Sequence, residues 1–426
     1  MDMDILTIKH CRKALLLILF SFLLNPAGAQ KYAGGDISML KKFVDEGAVY
    51  KDFDNQAVEP LTFFKQHGWN AQRVRLFVDP SNASEDDRKQ GAIQDLAYVK
   101  VLGKQIKDAG FKLMLDFHYS DTWTDPGKHS TPAAWSSLNA TQLAQKMYDY
   151  TKDCLQQMVA AGATPDWIQV GNEITTGMLW PAGQIANGGD TWDNLANFIR
   201  NGIKACREVC PQAKIVIHTE MHNPSSIDNF YAKLATYTDI KYDIIGLSYY
   251  PDHHGALSVL HSKLYNLENA YPNKEIMIVE TGYGFQWKIG TKYDLSATYP
   301  ITEAGQQKFT QDLIKRLDMH PNVTGIFWWY PEYNLNGIIN KGGVEDWSKN
   351  FTSGYWNGAL FWPTSGYPLA ALKELRTFVG EDTGVDNITI DRQDNGAWYT
   401  TDGRQLTKKP ATKGLYIHSG RKVVVQ

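Results

Sequence analysis

Short apolar, β-branched runs recur along the chain and alternate with stretches whose apolar residues fall every three or four positions. The runs predict strands at Tyr32–Ile37, Ala71–Phe77, Lys112–Phe117, Trp167–Gly171, Lys214–His218, Ile244–Ser248, Glu275–Val279 and Gly325–Trp329. Between the second and third, Gly91–Ala109 carries Ile93, Leu96, Val99, Leu102 and Ile106 on one helical stripe. Gln142–Ala160 repeats the pattern with Leu143, Met147, Tyr150, Cys154, Leu155 and Met158. Thr302–Leu317 opens on an N-cap threonine with Glu303 in its first turn, and Tyr367–Val379 closes the series. Strands alternating with helices predict an α/β fold, a (β/α)8 TIM barrel. A doubly wound sheet is the alternative, but no Gly-rich phosphate fingerprint follows the first strand.

The pattern breaks at four long connections, Asp79–Gln90, Tyr119–Asn139, Thr281–Ile301 and Tyr330–Pro363, the last rich in Gly, Asn and aromatics. Long loops on one rim of a barrel build a cleft. It breaks again at both ends. Lys9, Arg12 and Lys13 precede an apolar run, Ala14–Leu24, and Ala27-Gly28-Ala29 fits a small-x-small cleavage site, so residues 1–29 read as a signal peptide. The run is too short to span a bilayer, and no later stretch is long and apolar enough. Residues 30–380 read as the barrel. Residues 381–426 turn polar, with short alternating strands and an Asp402-Gly403 turn, and read as a short C-terminal β appendage.

Composition narrows the function. A net charge of −3 gives no electrostatic case for nucleic acid or an anionic membrane. Aromatics make up 12% of the chain, enough for both a large core and a groove that stacks on sugar rings. Cys154, Cys206 and Cys210 remain after the signal segment; an odd count in a large fold, two of them four apart on a helix, predicts free thiols.

Chemistry enters at two strand ends. Trp167-Ile168-Gln169-Val170-Gly171-Asn172-Glu173 and Glu275-Ile276-Met277-Ile278-Val279-Glu280 each run from a buried strand into a carboxylate. An unpaired buried charge is expensive, so such a position requires a reason. Two strand-end carboxylates on one barrel rim are the machinery of glycoside hydrolysis. Arg75 and Tyr249 lie on strands whose ends should face Glu280, where a guanidinium and a phenol would hold it ionised. Arg75 also has Asp36 and Asp79 as scaffold partners. His118 ends the third strand before a polar loop, which favours the rim. His218-x-Glu220-x-His222 would put three metal-type ligands on one side of a strand.

Five segments carry a resemblance: Gly35-Asp36-Ile37-Ser38-Met39-Leu40, Arg73-Val74-Arg75-Leu76-Phe77-Val78-Asp79-Pro80, Asp116-Phe117-His118-Tyr119-Ser120-Asp121-Thr122-Trp123-Thr124-Asp125-Pro126-Gly127, Gly171-Asn172-Glu173 and Glu280-Thr281-Gly282-Tyr283. From about Tyr32 to Val379 the chain resembles the arabinogalactan endo-β-1,4-galactanases, within the large clan of retaining barrel hydrolases. The Asn-Glu pair marks the clan; the Asp-Phe-His-Tyr-Ser-Asp-Thr-Trp segment is specific to the galactanases.

The resemblance implies endo-cleavage of β-1,4-galactosidic bonds in (arabino)galactan side chains of pectin, with retention. It implies Glu173 as acid/base and Glu280 as nucleophile. It implies substrate-binding or supporting roles for Asp36, Arg75, His118, Asp121, Trp123, Asn172, His218, Tyr249 and Trp329. Trp329 matches the clan's floor of the sugar site, while Trp328 should face the other way into core; Trp287 is a further stacking candidate. A retaining pair sits about 5–5.5 Å apart, one carboxyl neutral and one ionised. Some bacterial relatives carry an Asp-rich calcium loop after the nucleophile. Here Phe285–Asp294 has one carboxylate and two lysines, and the resemblance gives His218 no metal role, so no cofactor is expected. The tail is similar to C-terminal segments of secreted Bacteroidetes proteins, some of which are sorting signals. A monomer acting on polysaccharide outside the cytoplasm, secreted or at the cell surface, is the expectation. A mannanase or xylanase of the same clan, and a glycan-binding protein without turnover, are the alternatives.

Overall fold

The computed structural model describes residues 30–185, 191–221, 224–290, 292–338 and 358–380, with 398–400, 405–406, 408–410, 414–418 and 421–425 of the tail. Residues 1–29, which the sequence reads as a signal peptide, His222 and the Asp402-Gly403 turn expected in the tail lie outside the described residues. The described chain divides into two units, Met1–Glu381 and Asp382–Gln426.

The first unit is a closed barrel of eight parallel strands. They are β1 (Tyr32–Asp36), β2 (Ala71–Leu76), β3 (Lys112–Phe117), β4 (Trp167–Val170), β5 (Lys214–Glu220), β6 (Ile244–Tyr249), β7 (Glu275–Thr281) and β8 (Val323–Trp329). Each strand pairs with its sequence neighbours, and β1 closes on β8. The helical stripe in Gly91–Ala109 forms Leu96–Asp108, starting later than expected because Asp95 caps it. Ala140–Ala160 starts two residues earlier, fixed by a reciprocal capping box between Asn139 and Gln142. Further helices, among them Trp192–Val209 and Leu257–Ala270, complete the outer layer.

Alternation along the strands sorts the core into two compartments. Outward residues such as Val74, Leu115, Ile168, Ile217, Leu247, Ile278 and Trp328 pack against the helices. Inward residues Tyr32, Ala71, Met114, Trp167, Val216, Met277 and Phe327 plug the lower barrel. Two residues further along the same inward rows, the side chains become polar: Arg73, Asp116, Gln169 and His218, all fully buried. The apolar plug denies this polar layer water from below, so its charges must neutralise one another.

Cys154, Cys206 and Cys210 are free and buried. No helix among the described residues is long and apolar enough to cross a membrane. The second unit is a four-stranded antiparallel sheet built from Trp398–Thr400, Gln405–Leu406, Gly414–His418 and Arg421–Val425.

Candidate active site

Glu280 reaches the site through an irregularity. Met277 and Val279 face the barrel interior, so strict alternation would turn Glu280 toward the helices. The β6–β7 register instead jumps from Leu247↔Ile278 to Ser248↔Glu280. The β7–β8 register jumps at the same place, between Ile278 and Thr281. The extra residue re-aims the carboxylate inward, as bulges beside active sites do. Oε1 then lies 3.0 Å from Arg73 Nη2, and Oε2 accepts a hydrogen bond from the Tyr250 hydroxyl at 3.1 Å.

Glu173 follows β4 through two residues of left-handed backbone, Gly171 at φ 90° and Glu173 itself at φ 46°. A glutamate is seldom found there, and the strain is offset by what the turn achieves. The Glu173 backbone N–H donates to His218 Nδ1 at 3.3 Å, and its half-buried side chain faces Glu280.

The two carboxyls have opposed surroundings. For Glu173, burial and then the Glu280 charge push the pKa well above the usual range. For Glu280, burial pushes up and the Arg73 guanidinium pulls down, leaving it at about 7. Arg73 contacts one carboxylate of the pair and not the other, which sets the order: Glu280 ionises first and Glu173 keeps the proton.

The expectation that Arg75 and Tyr249 hold Glu280 is corrected. Arg73 and Tyr250 do so. Tyr249 continues the outward row of Ile245 and Leu247, and its hydroxyl donates to Gly255 O at 2.7 Å. Tyr250 continues the inward row of Gly246 and Ser248. Arg75 points inward but one layer above Arg73. Its Nε is 3.2 Å from Asp36 Oδ1, and Nη1 donates to the Tyr330 hydroxyl at 3.3 Å. Its guanidinium carbon lies 4.6 Å from the Trp329 ring and 4.7 Å from the Trp123 ring. Arg75 therefore braces the aromatic floor.

The other named residues divide between cleft and support. Asp36 binds Arg73 Nη1 at 2.7 Å and accepts from the Ser38 hydroxyl. His118 Nε2 meets Asp116 at 3.1 Å, and its Nδ1 is 2.8 Å from the Thr124 hydroxyl; burial keeps it neutral. Asn172 Nδ2 donates to Thr124 O at 2.8 Å while Oδ1 accepts from Arg73 at 3.0 Å. One amide proton of Asn172 is left over for a sugar hydroxyl. His218 lies in the polar layer under Glu173, neutral through burial. Trp329 is 9% exposed and meets the half-buried Trp123 at 6.1 Å between ring centres. Trp328 is fully buried among the helices.

Asp121 has a supporting place among the loops. Its oxygens accept from the backbone of Asp79 and Ala133 and from the Asn82 amide, clipping two loops together.

Asp116, Gln169, Ser248 and Glu332 carry parts of the site that the motifs did not single out. For Asp116, Gln169 and Ser248 the available signal was a polar residue inside a strand buried on both faces; Glu332 lies past the end of β8 and carried no such signal. Asp116 bridges Arg73 at 2.8 Å and Gln169 at 2.6 Å. Burial raises its pKa, yet Arg73 and His118 outweigh that and hold it below the usual range. Glu332 is fully buried behind Arg75 and accepts from Met39 N at 2.9 Å. Burial and then the Asp36 charge push it up to about 8.

In the loop after β7, Lys288 pairs with Asp294, and Asp252 accepts from the backbone of Ile289 and Gly290. Among the described residues no group of three or more His, Cys, Asp or Glu is arranged to hold a metal.

A parallel barrel with two carboxyls of opposed environment at its rim defines a glycoside-hydrolase type of site. The chain belongs to glycosyl hydrolase family 53, whose model matches residues 32–375. It is 30% identical over 346 residues to the probable arabinogalactan endo-beta-1,4-galactanase A of Neosartorya fischeri, covering 77% of this chain and 92% of that protein. It is 29% identical over 371 residues to the endo-beta-1,4-galactanase of Bacillus subtilis, covering 80% and 84%. The solved catalytic domain of the Ignisphaera aggregans family member superposes with a TM-score of 0.71 at 29% identity, covering 82% of this chain and 96% of that one.

Proposed function

We infer that this chain is an endo-acting glycoside hydrolase that cleaves internal β-1,4-galactosidic bonds of (arabino)galactan by double displacement, with retention. The observation that carries the reading is the asymmetry of the pair: Glu280 has Arg73 and Tyr250 on its oxygens, whereas the charges that act on Glu173 are those of the carboxylates Glu280, Glu220 and Asp125. Glu280 attacks the anomeric carbon as a carboxylate while Glu173 gives its proton to the leaving glycosidic oxygen. Forming the ester removes the negative charge at Glu280. Glu173 then loses the repulsion that held its proton, becomes a base and activates the water that releases the sugar. Trp329, Trp123 and the free amide proton of Asn172 bind the substrate ring. The galactose preference rests on the family and its named relatives.

The enzyme works as a monomer, without a metal, on polysaccharide outside the cytoplasm. Purified protein incubated with β-1,4-galactan, mannan and xylan should release reducing ends from galactan, with β-configured product seen first by NMR. Release from mannan or xylan instead would move the enzyme elsewhere in the clan. Binding to galactan without release would make the chain a glycan-binding protein.

A further inference from the structure

The loop after β3 is clamped to the barrel wall by bonds that the double-displacement scheme does not use. Asp116, His118 and Thr124 make the clamp, and all three are buried. The Thr124 backbone N–H, which can only donate, lies 3.3 Å from His118 Nδ1. Nδ1 therefore carries no proton, and the Thr124 hydroxyl, 2.8 Å away, donates to it as well. The proton of the neutral ring sits on Nε2, 3.1 Å from Asp116 Oδ2. Asp116 is itself held by Arg73 Nη2 at 2.8 Å and by the Gln169 amide at 2.6 Å. The carbonyl of the clamped residue faces Asn172: Thr124 O accepts from Asn172 Nδ2 at 2.8 Å. At the other end of the same amide, Asn172 Oδ1 accepts from Arg73 Nη2 at 3.0 Å and from Gln169 Nε2 at 3.3 Å. A donor-only guanidinium on the oxygen and an acceptor-only carbonyl on the nitrogen leave the amide one orientation.

We propose that Thr124, seated by His118 and Asp116, is the positioning residue of Asn172: its carbonyl takes one amide proton and thereby aims the other at the 2-hydroxyl of the sugar being cleaved. Asn172 immediately precedes Glu173, so its amide belongs beside the bond that Glu173 protonates. The 2-hydroxyl is the one next to the anomeric carbon. A bond to it strengthens as the oxocarbenium-like transition state forms, and its strength depends on the angle at which the donor arrives. The Asn172 side chain by itself could turn about its own torsions. The acceptor at Thr124 and the donor at Arg73 remove that freedom before the substrate arrives. Thr124 lies on a loop, where geometry is less exact than on a strand. The bond from its hydroxyl to His118 ties that loop to β3 and makes its carbonyl a fixed reference. Trp123 is the preceding residue, so the same clamp also seats its ring.

The proposal rests on the glycosidase reading, but its first tests need no substrate. With asparagine labelled with 15N, the Asn172 side-chain amide should give two well-separated proton resonances, the one bonded to Thr124 O downfield. In Thr124→Val that resonance should move upfield, and Thr124→Ser, which keeps the hydroxyl, should return it. An unmoved resonance in Thr124→Val overturns the proposal whatever the enzyme cleaves. Histidine 15N spectra should show His118 neutral with its proton on Nε2; a proton on Nδ1 overturns it as well. The kinetic test uses an aryl β-1,4-galactobioside and its analogue lacking the 2-hydroxyl on the sugar next to the aryl group. Thr124→Val should lower kcat about tenfold on the first, with KM within about twofold. On the analogue its kcat should stay within about twofold of wild type, because the contact is already absent. Thr124→Ser should match wild type on both, and a Ser variant that behaves like Val counts against positioning. An equal loss on the two substrates would mean that Thr124 only keeps the loop in shape, and a loss confined to KM that it only seats Trp123; either overturns the proposal. Failure of wild type to cleave galactan and the galactobioside would sink the substrate reading and leave the two spectroscopic results standing.

Discussion

At the scale of single residues, the site depends on which groups touch which carboxylate. Glu280→Gln should fold and lose turnover by several powers of ten, since the covalent route disappears; near-normal kcat in the folded variant would remove Glu280 from the nucleophile's role. Glu173→Ala should harm galactan far more than an aryl galactoside with a good leaving group, which needs no proton. Azide should restore part of the aryl activity as a β-galactosyl azide, and absence of both effects would reassign Glu173. The exchange of Tyr249 for Tyr250 has its own test. The Tyr250 hydroxyl bonds Glu280 and favours its charged form. Tyr250→Phe should raise the Glu280 pKa above about 7 and shift the acid limb of kcat/KM to higher pH, so activity is lost sooner on acidification. Tyr249→Phe removes a bond to Gly255 O only and should leave that limb in place. The reverse result would restore the original assignment.

At the scale of elements, strand ends and the turns after them hold the unusual energetics. Glu332, just past β8, is a buried acid with a folded pKa of about 8 against an ordinary value of 4.5. The folded state then binds the proton more tightly than the unfolded one. Its stability contribution is complete below about pH 4.5 and is lost as pH rises through about 8. Glu332→Gln keeps a neutral side chain at every pH. Its thermal midpoint should match wild type near pH 5 and exceed it near pH 8 or above; equal pH dependence of the two proteins would show that Glu332 is not buried neutral. The loop after β7 is tied by the Lys288–Asp294 pair and by Asp252 on backbone amides. A lysine ammonium occupies the carboxylate that a calcium ion would need. EDTA should therefore leave the midpoint and kcat unchanged, and a fall of several degrees reversed by calcium would reveal a bound ion.

At the scale of the whole molecule, the barrel unit contains every strand of the closed sheet and every residue assigned to the site. Its described core runs from Ala33 in β1 to Phe378 in the helix Ala371–Val379. A chain ending at Glu381 should fold and retain kcat/KM on galactan within about twofold, since no residue that binds the transition state is removed. Loss of activity in a soluble, folded truncation would give the tail a part in catalysis.

The architecture was legible because periodicity is local: eight short apolar runs and the helical stripes between them specify a (β/α)8 barrel before any long-range contact forms. The rim motifs Asn172-Glu173 and Val279-Glu280 were legible because carboxylates are costly after buried strands. Alternation also contained the correction of Tyr249 to Tyr250, since Ile245, Leu247 and Tyr249 share one outward row. Two things required the tertiary structure. The bulge at Val279 turns Glu280 inward against the alternation of its own strand, and it exists only in the register with β6 and β8. The pairing of one guanidinium, Arg73, with Asp36, Asp116 and Glu280 depends on barrel closure, which sets the heights of β1, β2, β3 and β7 against each other. A sequence names the charges along each strand; the stagger of the closed barrel decides which of them meet.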